Sequence, residues 1–239
     1  MFVHGVWIGL CMSILIRDQR STHAIYHPLG DADPIAIEPA GSVFDPQIDA
    51  IGLYPDVIIL SDDAGHSSDS PDDDAGSWLR SWSQSGWDRF DRAYRDTRDL
   101  VQSKDAQLVI RPSSSGMLSD AVCTLNWCTR GGGQDAMLLL DPMGWIVPSM
   151  MRDLEDHLDR IVELSQEMIA HRRVWGIVVR SIAWNADRSG LVPSSMSSGE
   201  PDEAMLDKKL RPLLANPVWR VLWDESDIAR IHPDASIES

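Results

Sequence analysis

The stretch AQLVIRPSSSGMLSDAVCTLNWCTRGGGQDAMLLLD, residues 106–141, predicts the fold of this chain. It opens with a short apolar run rich in branched residues, 106–110, and closes with a second apolar run, 136–140. Ser119 is the predicted N-cap of a helix between them, and the three glycines 131–133 close that helix. Its apolar positions recur at helical spacing: Leu118, Ala121, Val122, Leu125 and Cys128. The stretch therefore predicts a strand, a helix and a second strand.

The same alternation continues toward the C-terminus. An apolar stripe from Val147 to Met168, with acidic residues on the other face, predicts a long helix. A strand at 174–179, a helix over 205–214 and a last strand at 218–223 follow. These strands are apolar throughout, as strands are when helices cover both faces of a sheet. The pattern predicts a parallel sheet with right-handed crossovers.

The first half of the chain is less regular. A strand at 56–60 and an amphipathic helix at 87–101 add one more strand–helix unit. Three earlier runs are weaker candidate strands, without convincing helices between them: residues 6–16, 23–26 and 34–38. Five secure strands and up to three weaker ones leave two alternatives open. Eight strands would close a barrel, whereas five or six would form an open doubly wound sheet.

The segment 61–76, SDDAGHSSDSPDDDAG, is rich in Asp, Ser and Gly and has almost no hydrophobic residues. Such a composition is typical of solvated chain, so we expect an acidic, flexible surface loop.

Composition limits the classes of partner. The chain has 239 residues, which fits one domain over 1–239, and its net charge is −16. That charge argues against nucleic acid or an anionic membrane as the main partner, but it allows a small anionic ligand held by local arginines. The apolar run at 6–16 is too short to span a bilayer, so a cytoplasmic protein is predicted. Three cysteines without a C-x-x-C pair indicate neither a disulfide framework nor a zinc knuckle.

A polar residue follows each predicted strand. Because ligands of parallel α/β folds bind at the carboxyl ends of the strands, these residues are the candidate site. They carry both signs of charge, as expected of a pocket for a polar ligand: Glu38, Ser61 with Asp62, Arg111, Asp141, Arg180, and Asp224 with Glu225. Three neighbours are further candidates for ligand contact: Ser113 after the Arg111 strand, Trp145 after Asp141, and His27 after the 23–26 run.

From about Trp87 onward, the order of features resembles the sugar phosphate isomerase/epimerase family, the xylose isomerase-like TIM barrels. LLLDPMGW resembles the family's strand that ends in Asp, and GIVVRSIAWNADRSG resembles the next strand and its loop. SSGEPDEAMLDKKLRPL resembles the Gly-Glu loop with its helix, and WRVLWDES resembles the last strand. The resemblance covers roughly the last 150 residues and rests on order and spacing. It implies a (β/α) TIM-type barrel that is irregular or incomplete in its N-terminal part.

The resemblance also implies a metal site, because the family commonly holds a divalent ion with Glu, Asp, His and Glu at strand ends. Asp141 matches that Asp, and Asp224, with Glu225 beside it, matches the final Glu. The first Glu position holds Arg111, and the His position falls at Val179 or Arg180. An arginine has no lone pair to donate to a metal, so we predict neither a metal nor another cofactor.

Our hypothesis is a degenerate barrel that binds a small polar or anionic, sugar-like molecule. Two alternatives stay open. One is an active isomerase or epimerase that moves a proton next to a carbonyl, with Asp141, Asp224 and Glu225 as catalytic residues. The other is a non-catalytic, open-sheet binding domain.

Overall fold

The computed structural model describes residues 14–18, 24–28, 36–38, 41–46, 48, 56–63 and 82–223. The strands of this part are β1 Ile14–Asp18, β2 Ala24–Pro28, β3 Ala36–Glu38, β4 Val57–Ser61, β5 Gln107–Arg111, β6 Met137–Leu140, β7 Val174–Val179, β8 Ser181–Trp184, β9 Leu191–Ser194 and β10 Trp219–Leu222. Its α-helices are α1 Gln84–Gln102, α2 Ala121–Arg130, α3 Leu154–Ala170 and α4 Glu203–Leu214. Two 3-10 helices, Pro142–Trp145 and Pro148–Asp153, precede α3.

A curled parallel sheet is the centre of the fold. β3, β4, β5, β6, β7 and β10 pair in parallel in that order, with helices in the connections from β4 onward. β1 pairs in parallel with β10, and β2 lies between β1 and β3, so the hydrogen-bonded order closes on itself. The predicted α/β class and the parallel order of the later strands are confirmed. The open-sheet alternative does not fit this strand order.

The N-terminal strands depart from a regular β/α repeat. β2 is antiparallel to both of its neighbours, and the described residues up to Glu38 contain no helix. Only residues 19–23 connect β1 to β2, and only 29–35 connect β2 to β3. A parallel crossover needs about a dozen residues or more, so connections of this length require antiparallel pairing. The irregularity predicted for this part therefore comes from short connections.

The sheet separates two apolar cores. The larger core lies between the strands and the helices, and the smaller one fills the space that the sheet encloses. At the amino end of this interior, the rings of Trp175 and Trp219 pack with centroids 6.0 Å apart. Gly176 lies against them, where a Cβ atom would come within 3.1 Å of the Trp219 Cβ. The interior is thus filled by side chains at the amino end, which leaves its carboxyl end for polar groups.

Two helices differ in detail from the sequence prediction. The N-cap of α2 is Asp120 instead of Ser119, and its carboxylate accepts the N–H of Cys123 at 2.8 Å. Val122 is 48% exposed while Trp127 is buried, because the helix turns its aromatic side toward α1. α3 begins at Leu154 and not near Val147, since the prolines that open the two 3-10 turns delay its first regular turn.

The β8–β9 hairpin was not predicted. Its strands are four residues long and mostly half-buried or exposed, so they give no strong alternating signal.

The start of the acidic segment was predicted too early in the chain. Ser61 belongs to β4 and Asp62 is fully buried, whereas residues 64–76 lie outside the described part of the chain. None of the described helices is long and apolar enough to cross a membrane.

The turn after α2 gives a test of this packing. A Cβ atom on Gly133 would lie 2.5 Å from the ring of the buried Trp127, so Gly133→Ala must displace that ring. We expect a loss of about 1–3 kcal/mol in the free energy of unfolding, measured by urea denaturation. Gly190→Ala is the control, because its Cβ atom would meet only Asn185 Nδ2 at an ordinary 3.5 Å. Equal losses in the two variants would contradict the packing described for Trp127.

Candidate functional site

Strand alternation places polar side chains on the inner face at the carboxyl end of the sheet. Each of these residues follows an inner-core residue by two positions, and residues two apart on a strand share a face. Among the residues of the smaller core, those that precede polar strand ends are Ala36, Ile59, Val109, Leu139, Val178 and Val221. The residues two positions later are Glu38, Ser61, Arg111, Asp141, Arg180 and Trp223, here called the carboxyl-end layer.

Asp141 and Arg180 form the most buried ion pair of this layer. The Nε of Arg180 donates to both carboxylate oxygens, at 3.1 and 2.9 Å, and its Nη2 lies 2.8 Å from Oδ2. The guanidinium carbon lies 5.1 Å from the ring centroid of Trp223, and the N–H of Gly144 donates to Asp141 Oδ1 at 3.0 Å. Asp141 is 1% and Arg180 6% exposed, so both charges are buried and each is the counter-ion of the other.

Arg111 and Glu38 form a second ion pair, between Arg111 Nη2 and Glu38 Oε1. This pair spans β4, because β3 and β5 lie on either side of that strand. The Glu38 side chain is 8% exposed and the Arg111 side chain 22%. Of the two arginines in the layer, Arg111 is therefore the one that a molecule in solution can reach.

Asp62 lies at the same end of the sheet on the outer face, two residues after Leu60 of the larger core. The sequence analysis had listed it both as a strand-end candidate and within the acidic segment. Its Oδ1 accepts the N–H of Ser113 at 3.1 Å, and its Oδ2 accepts the N–H of Leu118 at 2.5 Å. A Cβ atom on Gly116 would lie 2.0 Å from this carboxylate, so the loop after β5 packs directly on it. Burial of the carboxyl group raises the pKa of Asp62 to about 7, against the lowering effect of these backbone hydrogen bonds. Asp62 therefore fixes the loop that follows Arg111.

The remaining predicted residues lie in different surroundings. Ser113 contacts Asp62 through its N–H and its hydroxyl group. Trp145 is 1% exposed in the larger core, between the strands and the helices, and its indole N–H donates to the carbonyl of Leu118 at 3.0 Å. His27 is in β2, and its backbone pairs with Ile16 of β1. The side chain of His27 and the whole of residues 224–225 lie outside the described part of the chain.

The donor set does not fit the divalent metal that the resemblance implies. Arg111 occupies the first ligand position and is paired with Glu38. Both oxygens of Asp141 accept hydrogen bonds from Arg180, a cation where a metal ligand is expected. Among the described residues, no three His, Cys, Asp or Glu side chains come together in a way that could hold a metal ion.

The two ion pairs decide what this layer can do chemically. Its two arginines and two carboxylates cancel in charge, and both carboxylates are already engaged. Such a layer can orient a polar molecule through hydrogen bonds, or exchange one of its own carboxylates for an anion.

No protein-family model matches this chain, and no curated protein is significantly similar to it.

The Asp141–Arg180 pair can be tested by a double-mutant cycle. Because either variant alone leaves a buried charge without its partner, we expect Arg180→Met and Asp141→Asn to lower the free energy of unfolding strongly, with about 3–5 kcal/mol for Arg180→Met. The double variant should lose clearly less than the sum of the two, as measured by urea denaturation. Strictly additive losses would mean that the two side chains are not coupled.

Asp62 gives a pH-dependent prediction. Since its pKa is raised from 3.8 to about 7, its contribution to stability is fully present below pH 3.8 and is lost as the pH rises through 7. Asp62→Asn cannot ionise. We therefore expect the stability of this variant, relative to the unsubstituted protein, to increase by about 2–3 kcal/mol between pH 5 and pH 8. Urea denaturation measures the free energy of unfolding of both proteins at each pH. If it changes by the same amount in both between pH 5 and pH 8, the raised pKa of Asp62 is contradicted.

Proposed function

We propose that the carboxyl-end layer binds a small polar or anionic, sugar-like molecule. We further propose that the chain is a TIM-type barrel related to the sugar phosphate isomerases and epimerases, without the family's metal. The observation that carries the binding proposal is the buried pair of Asp141 and Arg180 on the inner face at the carboxyl end. Buried charges are costly, and ligands of parallel α/β folds bind at this end of the sheet.

The surroundings of the pair support a small polar ligand. The apolar interior beneath the layer excludes water from below, which strengthens hydrogen bonds made above it. Trp223 adds an aromatic ring of the kind that packs against the apolar face of a sugar. Arg111 adds a partly exposed cation that suits a carboxylate or a phosphate.

The engaged carboxylates favour binding over catalysis. Proton transfer next to a carbonyl needs a base that is free to approach the substrate. Asp141 and Glu38 are each paired with an arginine. The isomerase alternative would then depend on Asp224 or Glu225, which lie outside the described residues.

The first test is binding. Sugar phosphates or polyhydroxy carboxylates should raise the melting temperature of the protein, and Arg111→Met should remove this effect. Arg98→Met is the matched control, since it removes the same charge from an ion pair with Asp135 that lies near the amino ends of β5 and β6. If no compound of either class raises the melting temperature, or if both variants lose the response equally, the proposed site is wrong.

The second test is metal content. Purified protein should contain no stoichiometric zinc, manganese or magnesium by mass spectrometry, because arginines hold the carboxylates that a metal would need. A chelator should leave the melting temperature unchanged. If each chain holds one metal tightly and Asp141→Ala loses it, the proposal is contradicted and a metal-dependent isomerase becomes the better supported function.

A further inference from the structure

The two ion pairs of the carboxyl-end layer differ in how firmly they hold their arginine. Arg180 engages both oxygens of Asp141 and lies over Trp223, and both charged side chains are almost completely buried. Separating them would leave Asp141 buried and without its counter-ion, which is the costly outcome for a buried charge. An incoming ligand will therefore leave this pair intact.

The Arg111–Glu38 pair differs in the exposure of its arginine, while its carboxylate is buried. The Arg111 side chain is 22% exposed, against 8% for Arg180, so its guanidinium can be reached from solution. Its present partner is a carboxylate, and a guanidinium binds carboxylates and phosphates through the same donors. Glu38 thus occupies Arg111 in the way that an anionic ligand would.

Charge favours exchange over addition. The layer is neutral with both pairs formed, and the whole chain carries a net charge of −16. An oxyanion added beside Glu38 and Asp141 would meet two carboxylates and two guanidinium groups that are already neutralised. An oxyanion that replaces Glu38 on Arg111 keeps the cation paired. The displaced Glu38 side chain, which is 8% exposed in the ion pair, must then turn toward solvent for its carboxylate to be hydrated.

We propose that Glu38 is a built-in competitor for the ligand. In this inference, which rests on the proposed function, the ligand is a small molecule with a carboxylate or a phosphate, and its oxyanion displaces Glu38 from Arg111. Arg180 and Asp141 hold the remainder of the layer in place during the exchange. The proposal makes an unusual prediction for an acidic residue in a binding site, namely that its removal tightens binding.

The experiment measures binding of inorganic phosphate and of glycolate by titration calorimetry. Glu38→Gln should bind at least one probe about tenfold more tightly than the unsubstituted protein, because the fraction of protein with Arg111 available increases. Arg111→Met should weaken binding by about tenfold or more, since a charge-assisted contact is lost. The probe that gains more in Glu38→Gln identifies the preferred oxyanion.

Two further variants separate this effect from general changes in charge or folding. Glu163→Gln makes the same chemical change at an exposed pair with Arg160 on α3, and it should leave both affinities unchanged. Glu38→Asp keeps the charge but shortens the side chain, so its affinity should lie between those of the unsubstituted protein and Glu38→Gln. Thermal melting of each variant establishes that it is folded.

The possible failures are distinguishable. If the unsubstituted protein binds a probe and Glu38→Gln binds it no better, Glu38 is not a competitor, although the proposed site stands. Equal tightening in Glu38→Gln and Glu163→Gln would reduce the effect to overall charge and would also overturn the inference. If sugars without an anionic group bind but neither probe binds any variant, the inference fails alone. If no sugar, sugar phosphate or probe binds any variant, the proposed function fails with it.

Discussion

The buried ion pair between Asp141 and Arg180 is the constraint on which the carboxyl end of the sheet depends. It joins the ends of β6 and β7, and it forms where the chain would otherwise bury two isolated charges. Because each partner is stable there only with the other, the pair fixes where both strands end. The adjoining elements follow from that position: the 3-10 turn that Asp141 caps, and the β8–β9 hairpin that begins directly after Arg180.

The interior of the sheet is asymmetric along its axis. Trp175 and Trp219 fill it at the amino end, and the charged residues of the carboxyl-end layer are confined to the other end. Because water is excluded beneath the layer, a charge there that loses its partner lowers the stability of the fold more than it would in water. The same surroundings would strengthen the hydrogen bonds of the polar ligand that we propose for this end.

The two buried aspartates at this end show how local partners decide the behaviour of a carboxyl group. Asp141 faces inward and is held by a guanidinium group. Asp62 faces outward, accepts backbone N–H groups from the loop after β5, and has no arginine among these hydrogen-bond donors. Burial consequently raises the pKa of Asp62. Asp141 orders the inner face of the sheet at this end, and Asp62 orders the loop that follows Arg111.

The sequence by itself determined the class of the fold and the order of its later strands. Apolar runs such as 106–110 and 136–140, separated by a helical stripe, specify a parallel arrangement because their side chains must be covered on both faces. The same alternation indicated that Arg111, Asp141 and Arg180 follow strand ends. Only the tertiary structure decided which charges pair, since Glu38 and Arg111 meet across β4 and are 73 residues apart in the chain. It also decided that Asp62 and Trp145 are buried. Burial at a strand end depends on which distant segments pack over it, and these cannot be read from the neighbouring residues in the sequence.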